Sequence, residues 1–224
     1  MIFTYPMSWL YATAVWIRNM LYDDHILRST KVNIPTICVG NLAVGGTGKT
    51  PMTEYLISLL SKNYRVAVLS RGYGRKTHGF RIAQPEDSAL TIGDEPMQIK
   101  RKFPMITVAV DASRAQGCDF LVHPEKLQTE KAGRKCKDKN FPPAEFIILD
   151  DAFQHRALKS TLSIVLIDHN RPTYNDHLLP LGKLRDLPER TQKADVLIVT
   201  KCPYDLNSWQ KCTWADNLGL RNFN

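Results

Sequence analysis

Short apolar runs recur along the 224-residue chain, each bounded by polar or turn-forming residues. Pro35 to Val39, Arg65 to Ser70, Met105 to Val110, Glu145 to Leu149, Leu162 to Ile167 and Val196 to Val199 are the clearest. Continuous β-branched runs without polar alternation fit strands covered on both faces. After the first of them, Met52 to Leu60 repeats apolar residues at helical spacing. The pattern predicts an α/β fold, a three-layer sandwich around a mostly parallel sheet with right-handed crossovers. No internal repeat is visible.

The N-terminus follows a different pattern. Met1 to Ile17 carries no charge, and Leu10, Ala14, Ile17 and Leu21 share one side of a helix, with Trp9 and Trp16 near it and Ser8 as candidate N-cap. The result is an aromatic-rich amphipathic helix. Packing on the protein's own core is the commoner use of such a stripe, and lying on a membrane surface is the other. Export is not expected: no basic stretch precedes the apolar run, Pro6 interrupts it, and Arg18 ends it short of the ~20 residues a spanning helix needs. The segment His123 to Pro143 is polar with six Lys or Arg, and reads either as a solvated excursion or as a basic loop facing a substrate or lipid headgroup.

Composition narrows the class only a little. A hydrophobic content of 43% supports a globular core, and a net charge of +8 suits phosphorylated substrates, an anionic membrane or nucleic acid. Basic residues are not interleaved with aromatics, which argues against nucleic acid. The cysteines at 38, 118, 136, 202 and 212 have no C-x-x-C spacing, so they read as reduced thiols of a cytoplasmic protein.

Candidate chemistry begins at Ala43-Val44-Gly45-Gly46-Thr47-Gly48-Lys49-Thr50-Pro51, between a predicted strand and a predicted helix. Glycines at that junction let backbone N–H groups turn toward phosphate oxygens, Lys49 can reach the β- and γ-phosphates, and the Thr50 hydroxyl can ligate Mg²⁺. Pro51 falls in the first helical turn, where a missing N–H costs nothing. Ala43 stands where the general phosphate-loop pattern has glycine, and a glycine-rich turn with a chance Lys-Thr is the alternative.

Ile147-Ile148-Leu149-Asp150-Asp151 is an apolar strand ending in two acids. Such a strand can bring a carboxylate to the Mg²⁺ beside a phosphate loop, although Asp151 also reads as a helix cap. Gly93-Asp94-Glu95-Pro96 places two acids in a sequence of turn formers: a turn by composition, or a site for a group that accepts the proton of an attacking hydroxyl. Arg71-Gly72-Tyr73-Gly74-Arg75, Arg114, Gln154-His155-Arg156 and Leu184-Arg185-Asp186 each follow a predicted strand, on the edge where ligands bind.

In that order, together with Leu179 to Arg185, Val199-Thr200-Lys201 and the N-terminal Trp-Leu-Tyr stretch, these motifs closely resemble the tetraacyldisaccharide 4'-kinase family. The resemblance covers nearly residues 1 to 203. It implies a P-loop NTPase-like core that transfers the ATP γ-phosphate to the 4'-hydroxyl of a tetraacylated glucosamine disaccharide 1-phosphate. It also implies a peripheral enzyme on the cytoplasmic face of the bacterial inner membrane, with ATP and Mg²⁺ as cofactors and the acylated disaccharide and membrane surface as partners. By the same resemblance, Val44 to Pro51 and Glu95 bind the nucleotide, Asp94, Lys49 and His155 are catalytic, and Thr50, Asp150 and Asp151 serve the metal. Tyr73, Arg114, Arg185 and Asp186 then line the substrate side.

The organisation expected is a membrane-associating helix over 1–31, a kinase core over 32–203 and an unassigned tail over 204–224, in a monomer. Ala152 stands where the family commonly has glycine, Asp186 where it has glutamate, and family members continue well beyond the Val-Thr-Lys-Cys-Pro segment. Two rival readings follow: a P-loop switch or metallochaperone-type NTPase, and a shortened nucleotide-binding remnant. Thr200-Lys201-Cys202-Pro203 lacks the Asp of a guanine-specific motif, which favours ATP over GTP.

Overall fold

The computed structural model describes residues 4–129, 136 and 139–220, so much of the basic segment 123–143 lies outside the described residues. The chain divides into two compact units. One comprises Met1–Arg28, Gly40–Gly48 and Ser163–Asn224, the other Ser29–Val39 and Lys49–Leu162.

The second unit carries most of the sheet. Strands β2 (Thr36–Gly40), β3 (Val66–Ser70), β5 (Thr107–Val110) and β6 (Phe146–Asp150) run parallel, and only β4 (Arg81–Ile82) is antiparallel to its neighbour. Their order is β4-β5-β3-β6-β2. The chain therefore travels outward from β2 to β3 and β5, then returns to insert β6 between β3 and β2. Val39 is consequently paired with Asp150, which puts the acids that end β6 beside the strand leading into the glycine-rich loop. Helices α2 (Lys49–Leu60), α4 (Asp94–Lys102) and α5 (Arg114–Val122) pack on β6, β5 and β3 respectively.

Burial of β2, β3 and most of β6 is nearly complete, as continuous apolar runs require of a doubly covered parallel sheet. The short helices α3 (Ala89–Ile92) and α6 (Lys126–Thr129) and a two-strand ladder of β1 (Thr30–Lys31) with β7 (Leu158–Lys159) complete this unit.

In the first unit, β8 (Leu162–Asp168) pairs in parallel with β9 (Val196–Thr200). Helix α1 spans Thr4–Asp23, so Ser8 is inside the helix and does not cap it. Ser8 instead donates its hydroxyl to the Leu178 carbonyl at 2.9 Å. The buried residues of α1 are the polar Ser8 and Asn19, whereas Trp9, Leu10, Trp16 and Ile17 are exposed. The apolar stripe is thus not packed into the core of this chain; the polar edge is the side that holds the helix down.

Residues 204–220 include α7 (Ser208–Asn217), where Trp214 stacks on His169 at 5.2 Å and meets the edge of Tyr174 at 5.5 Å. All five cysteines are free, and burial pushes the Cys38 thiol up to about 12, consistent with a small core residue.

Candidate nucleotide site

Lys49 and Thr50 open α2, and Pro51 occupies its first turn as expected. Lys49 Nζ lies 3.8 Å from Asp151 Oδ1. Asp151 follows the last residue of β6 with φ 47°, a left-handed conformation that Asp tolerates better than most residues because its side chain can bond locally. The turn swings Asp151 out toward the lysine. Asp150, one residue earlier, stays in the strand and points inward.

Asp150 is 1% exposed; its Oδ1 accepts from the Thr53 hydroxyl at 3.3 Å and its Oδ2 has no hydrogen-bond partner. Desolvation, reinforced by Glu95 and Asp151 and opposed by Lys49 and Thr53, pushes its carboxyl up to about 7. A carboxylate kept this dry beside two other acids needs a cation to be ionised comfortably. Among the described residues no group of three or more His, Cys, Asp or Glu could hold a metal by itself.

Gly93-Asp94-Glu95-Pro96 is not a free turn. Asp94 and Glu95 form the first turn of α4, where the helix N-terminus favours acids. Gly93 has φ 95°, and a Cβ there would come within 3.0 Å of the Tyr73 carbonyl. At Gly72 a Cβ would meet the Ile92 carbonyl at 2.8 Å, so the two loops touch backbone to backbone and bring Tyr73, which is exposed, beside Asp94, also exposed. Glu95 is half-buried and near enough to Asp150 to raise its pKa.

Arg114 is buried, donating through Nη1 to the Asp111 carbonyl at 2.7 Å and through Nη2 to the Asp150 carbonyl at 3.4 Å. It supports the end of β6 from behind. His155 is half-buried in the turn between β6 and β7, its amide bonded to the Ala152 carbonyl at 2.8 Å.

The loop residues before Lys49 belong to the first unit, and so do Arg185 and Asp186. Val44 N–H donates to the Lys183 carbonyl at 2.8 Å, and Arg185 N–H to the Leu42 carbonyl at 2.7 Å, which lashes the start of the loop to the Leu184 segment. Gly45 and Gly46 are exposed, while Thr47 is buried. Asn41 bridges the two sides: its amide donates to the Thr47 hydroxyl at 2.8 Å and its carbonyl accepts from the Arg185 guanidinium. Asp186 is also buried, accepting from Asn19 Nδ2 of α1 at 2.7 Å. On the far side, Thr200 at the end of β9 donates its hydroxyl to the Thr47 carbonyl at 3.0 Å.

Sequence reading missed Asn41 and Thr200 as partners of the loop. The only available signals were a lone Asn at a strand end and a Thr in the Val-Thr-Lys segment, neither of which specifies Thr47.

The sequence profile described as tetraacyldisaccharide-1-P 4'-kinase matches residues 1–220, further than the motif reading reached. The chain belongs to this family. It is 50% identical over 202 residues to the tetraacyldisaccharide 4'-kinase of Phocaeicola vulgatus, covering 90% of this chain and 51% of the relative. The enzyme of that description from Porphyromonas gingivalis is 48% identical over 201 residues, covering 90% and 52% respectively. Among solved structures, LpxK from Aquifex aeolicus in complex with ATP superposes with a TM-score of 0.73 at 36% identity, covering 91% of this chain and 60% of that one. The expected α/β fold with its mostly parallel sheet and N-terminal helix is borne out. The chain spans about half the length of the curated relatives it matches.

Proposed function

We propose that this chain supplies the nucleotide-binding part of a kinase that transfers the ATP γ-phosphate to the 4'-hydroxyl of a tetraacylated disaccharide 1-phosphate. The observation that carries the reading is the convergence of Lys49 with Asp151 at 3.8 Å beside a buried Asp150 with an unpartnered oxygen. Family membership supplies the substrate class, and the Aquifex relative's complex supports ATP as the donor.

Lys49 holds the β- and γ-phosphates, and Asp151 keeps its ammonium group in place. Thr50 and Asp150 are the residues that would hold Mg²⁺. When bound, Mg²⁺ neutralises charge on the phosphate oxygens. Asp94 takes the proton of the 4'-hydroxyl, and Glu95 next to it sustains the negative field around Asp150. Tyr73 stands at the same rim as Asp94. His155 stands in the turn after β6, where the buried Arg114 positions the end of that strand; in the other unit Arg185 holds Asn41, and the buried Asp186 positions its neighbours.

Acyl chains have to be met at an interface, and α1 offers one. Trp9 and Leu10 are 73% and 68% exposed. With Trp16 and Ile17, that face suits peripheral attachment to the inner membrane. Among the described residues no helix is long and apolar enough to cross a membrane.

The test is titration of ATP with Mg²⁺ into the chain and into Lys49→Ala, alongside a transfer assay with labelled ATP and the acylated disaccharide. ATP binding that Lys49→Ala abolishes, with label reaching the lipid, supports the reading. Turnover of ATP that ignores the lipid would instead favour a switch NTPase.

A further inference from the structure

We infer that Arg171 is a phosphate-contacting residue of the loop, delivered from the end of β8 to the terminal phosphate of a bound nucleotide. The inference rests on the nucleotide reading above and adds to it a cation outside the phosphate-loop motif.

The starting observation is at Gly45. Its φ of 127° lies where residues with a Cβ are strained, and a Cβ built there would sit 3.9 Å from Arg171 Nη1. The guanidinium therefore lies beside the exposed Gly45 of the loop. Both residues belong to the same compact unit.

The backbone of Arg171 is fixed while its side-chain charge is unspent. Its N–H donates to the Asp168 carbonyl at 2.9 Å, closing a turn directly after β8, and Pro172 follows with φ −65°. Asp168, the acid within that turn, is already taken: Lys201 Nζ reaches its Oδ2 at 2.6 Å. Among the described residues the Arg171 guanidinium has no hydrogen-bond or ion-pair partner, and the residue is exposed. An anchored stem with an unpaired planar cation beside a phosphate loop matches what bidentate phosphate recognition needs.

Position along the loop selects the phosphate. The helix that follows Gly48 presents its N-terminus to the inner phosphates, and Lys49 reaches from it to the β- and γ-phosphates. Gly45 lies toward the open end of the loop, so a cation there faces the outermost phosphoryl group. An arginine supplied in cis at that point stabilises the charge that accumulates on the transferred group.

The experiment compares ATP and ADP binding, each with Mg²⁺, to the parent chain and to Arg171→Gln, Arg171→Ala and Arg171→Lys by calorimetric titration. Circular dichroism checks that the fold is kept, as expected for an exposed side chain. The expected result is an ATP Kd weakened about tenfold in Arg171→Gln and Arg171→Ala, an ADP Kd changed by less than about twofold, and partial recovery in Arg171→Lys. An unchanged ATP Kd, or parallel weakening of ATP and ADP, would overturn the assignment while leaving the nucleotide site intact. A parent chain that binds neither nucleotide would instead sink the nucleotide reading and Arg171's role with it.

Discussion

Lys49 Nζ stands 3.8 Å from Asp151 Oδ1, joining the first residue of α2 to the residue just past the end of β6. The contact depends on the left-handed turn at Asp151, whose φ is 47°. Two substitutions separate the turn from the charge. Asp151→Asn keeps a side chain suited to that conformation and should change stability by less than about 1 kcal/mol, because the pair is partly solvated. Asp151→Val puts a β-branched residue at positive φ and should cost about 1–3 kcal/mol more. Urea denaturation of both variants checks this, and equal stabilities would show that the turn carries no strain.

Asp150 makes the fold sensitive to pH. In the unfolded chain its carboxyl titrates near about 4, but in the fold it is pushed up to about 7. Between those values the unfolded chain releases the proton while the folded chain retains it, so this group's contribution to stability falls as pH rises and is lowest above about 7. Asp150→Asn should therefore be more stable than the parent at pH ~8 in metal-free buffer, by up to about 4 kcal/mol, with the gap closing toward pH ~4. Denaturation at the two pH values decides it; a gap independent of pH would mean that the Asp150 carboxyl titrates alike in the folded and unfolded chain.

Asn19 and Asp186 hold α1 to its unit through a buried 2.7 Å hydrogen bond. Asn19→Ala removes the donor and leaves a buried carboxylate short of a partner, a loss of about 1–3 kcal/mol. Asn19→Asp should be worse, since it sets a second acid against the first. Thermal unfolding followed by circular dichroism would register both, and an unchanged midpoint for Asn19→Ala would dismiss this bond as an anchor.

The exposed face of α1 predicts the opposite. Trp9→Ser with Trp16→Ser should leave stability within about 0.5 kcal/mol, because both rings are mostly in solvent. Sedimentation with vesicles containing anionic lipid should fall clearly in the double variant. Undiminished sedimentation would separate α1 from the membrane.

Thr200 tests the support of the loop. Thr200→Val preserves shape but deletes the donor to the Thr47 carbonyl, and should cost about 0.5–1.5 kcal/mol while weakening ATP binding a few-fold. Calorimetric titration beside a denaturation curve measures the two effects together.

The elements whose evidence is local were legible from the amino-acid order. Apolar runs located β2, β3, β5, β6 and β8 to within about two residues, because a strand covered on both faces is apolar nearly throughout; β9, half-buried to exposed, was located by its β-branched run. The glycines, Lys49 and Thr50 marked a candidate phosphate loop, since glycines ahead of a helix N-terminus let backbone N–H groups turn toward phosphate oxygens. What tertiary structure alone decided was partnership. Nothing at Thr200 or Arg171 marks it as a neighbour of the loop, because each reaches it across more than a hundred residues of chain, and nothing at Asn41, six residues from Thr47, signals that its amide turns back onto that side chain. The same holds for α1: periodicity showed an apolar stripe, but which side faces inward was set by Ser8 and Asn19 finding Leu178 and Asp186. Pattern records what each residue prefers to touch, and only the packed chain determines what is there to be touched.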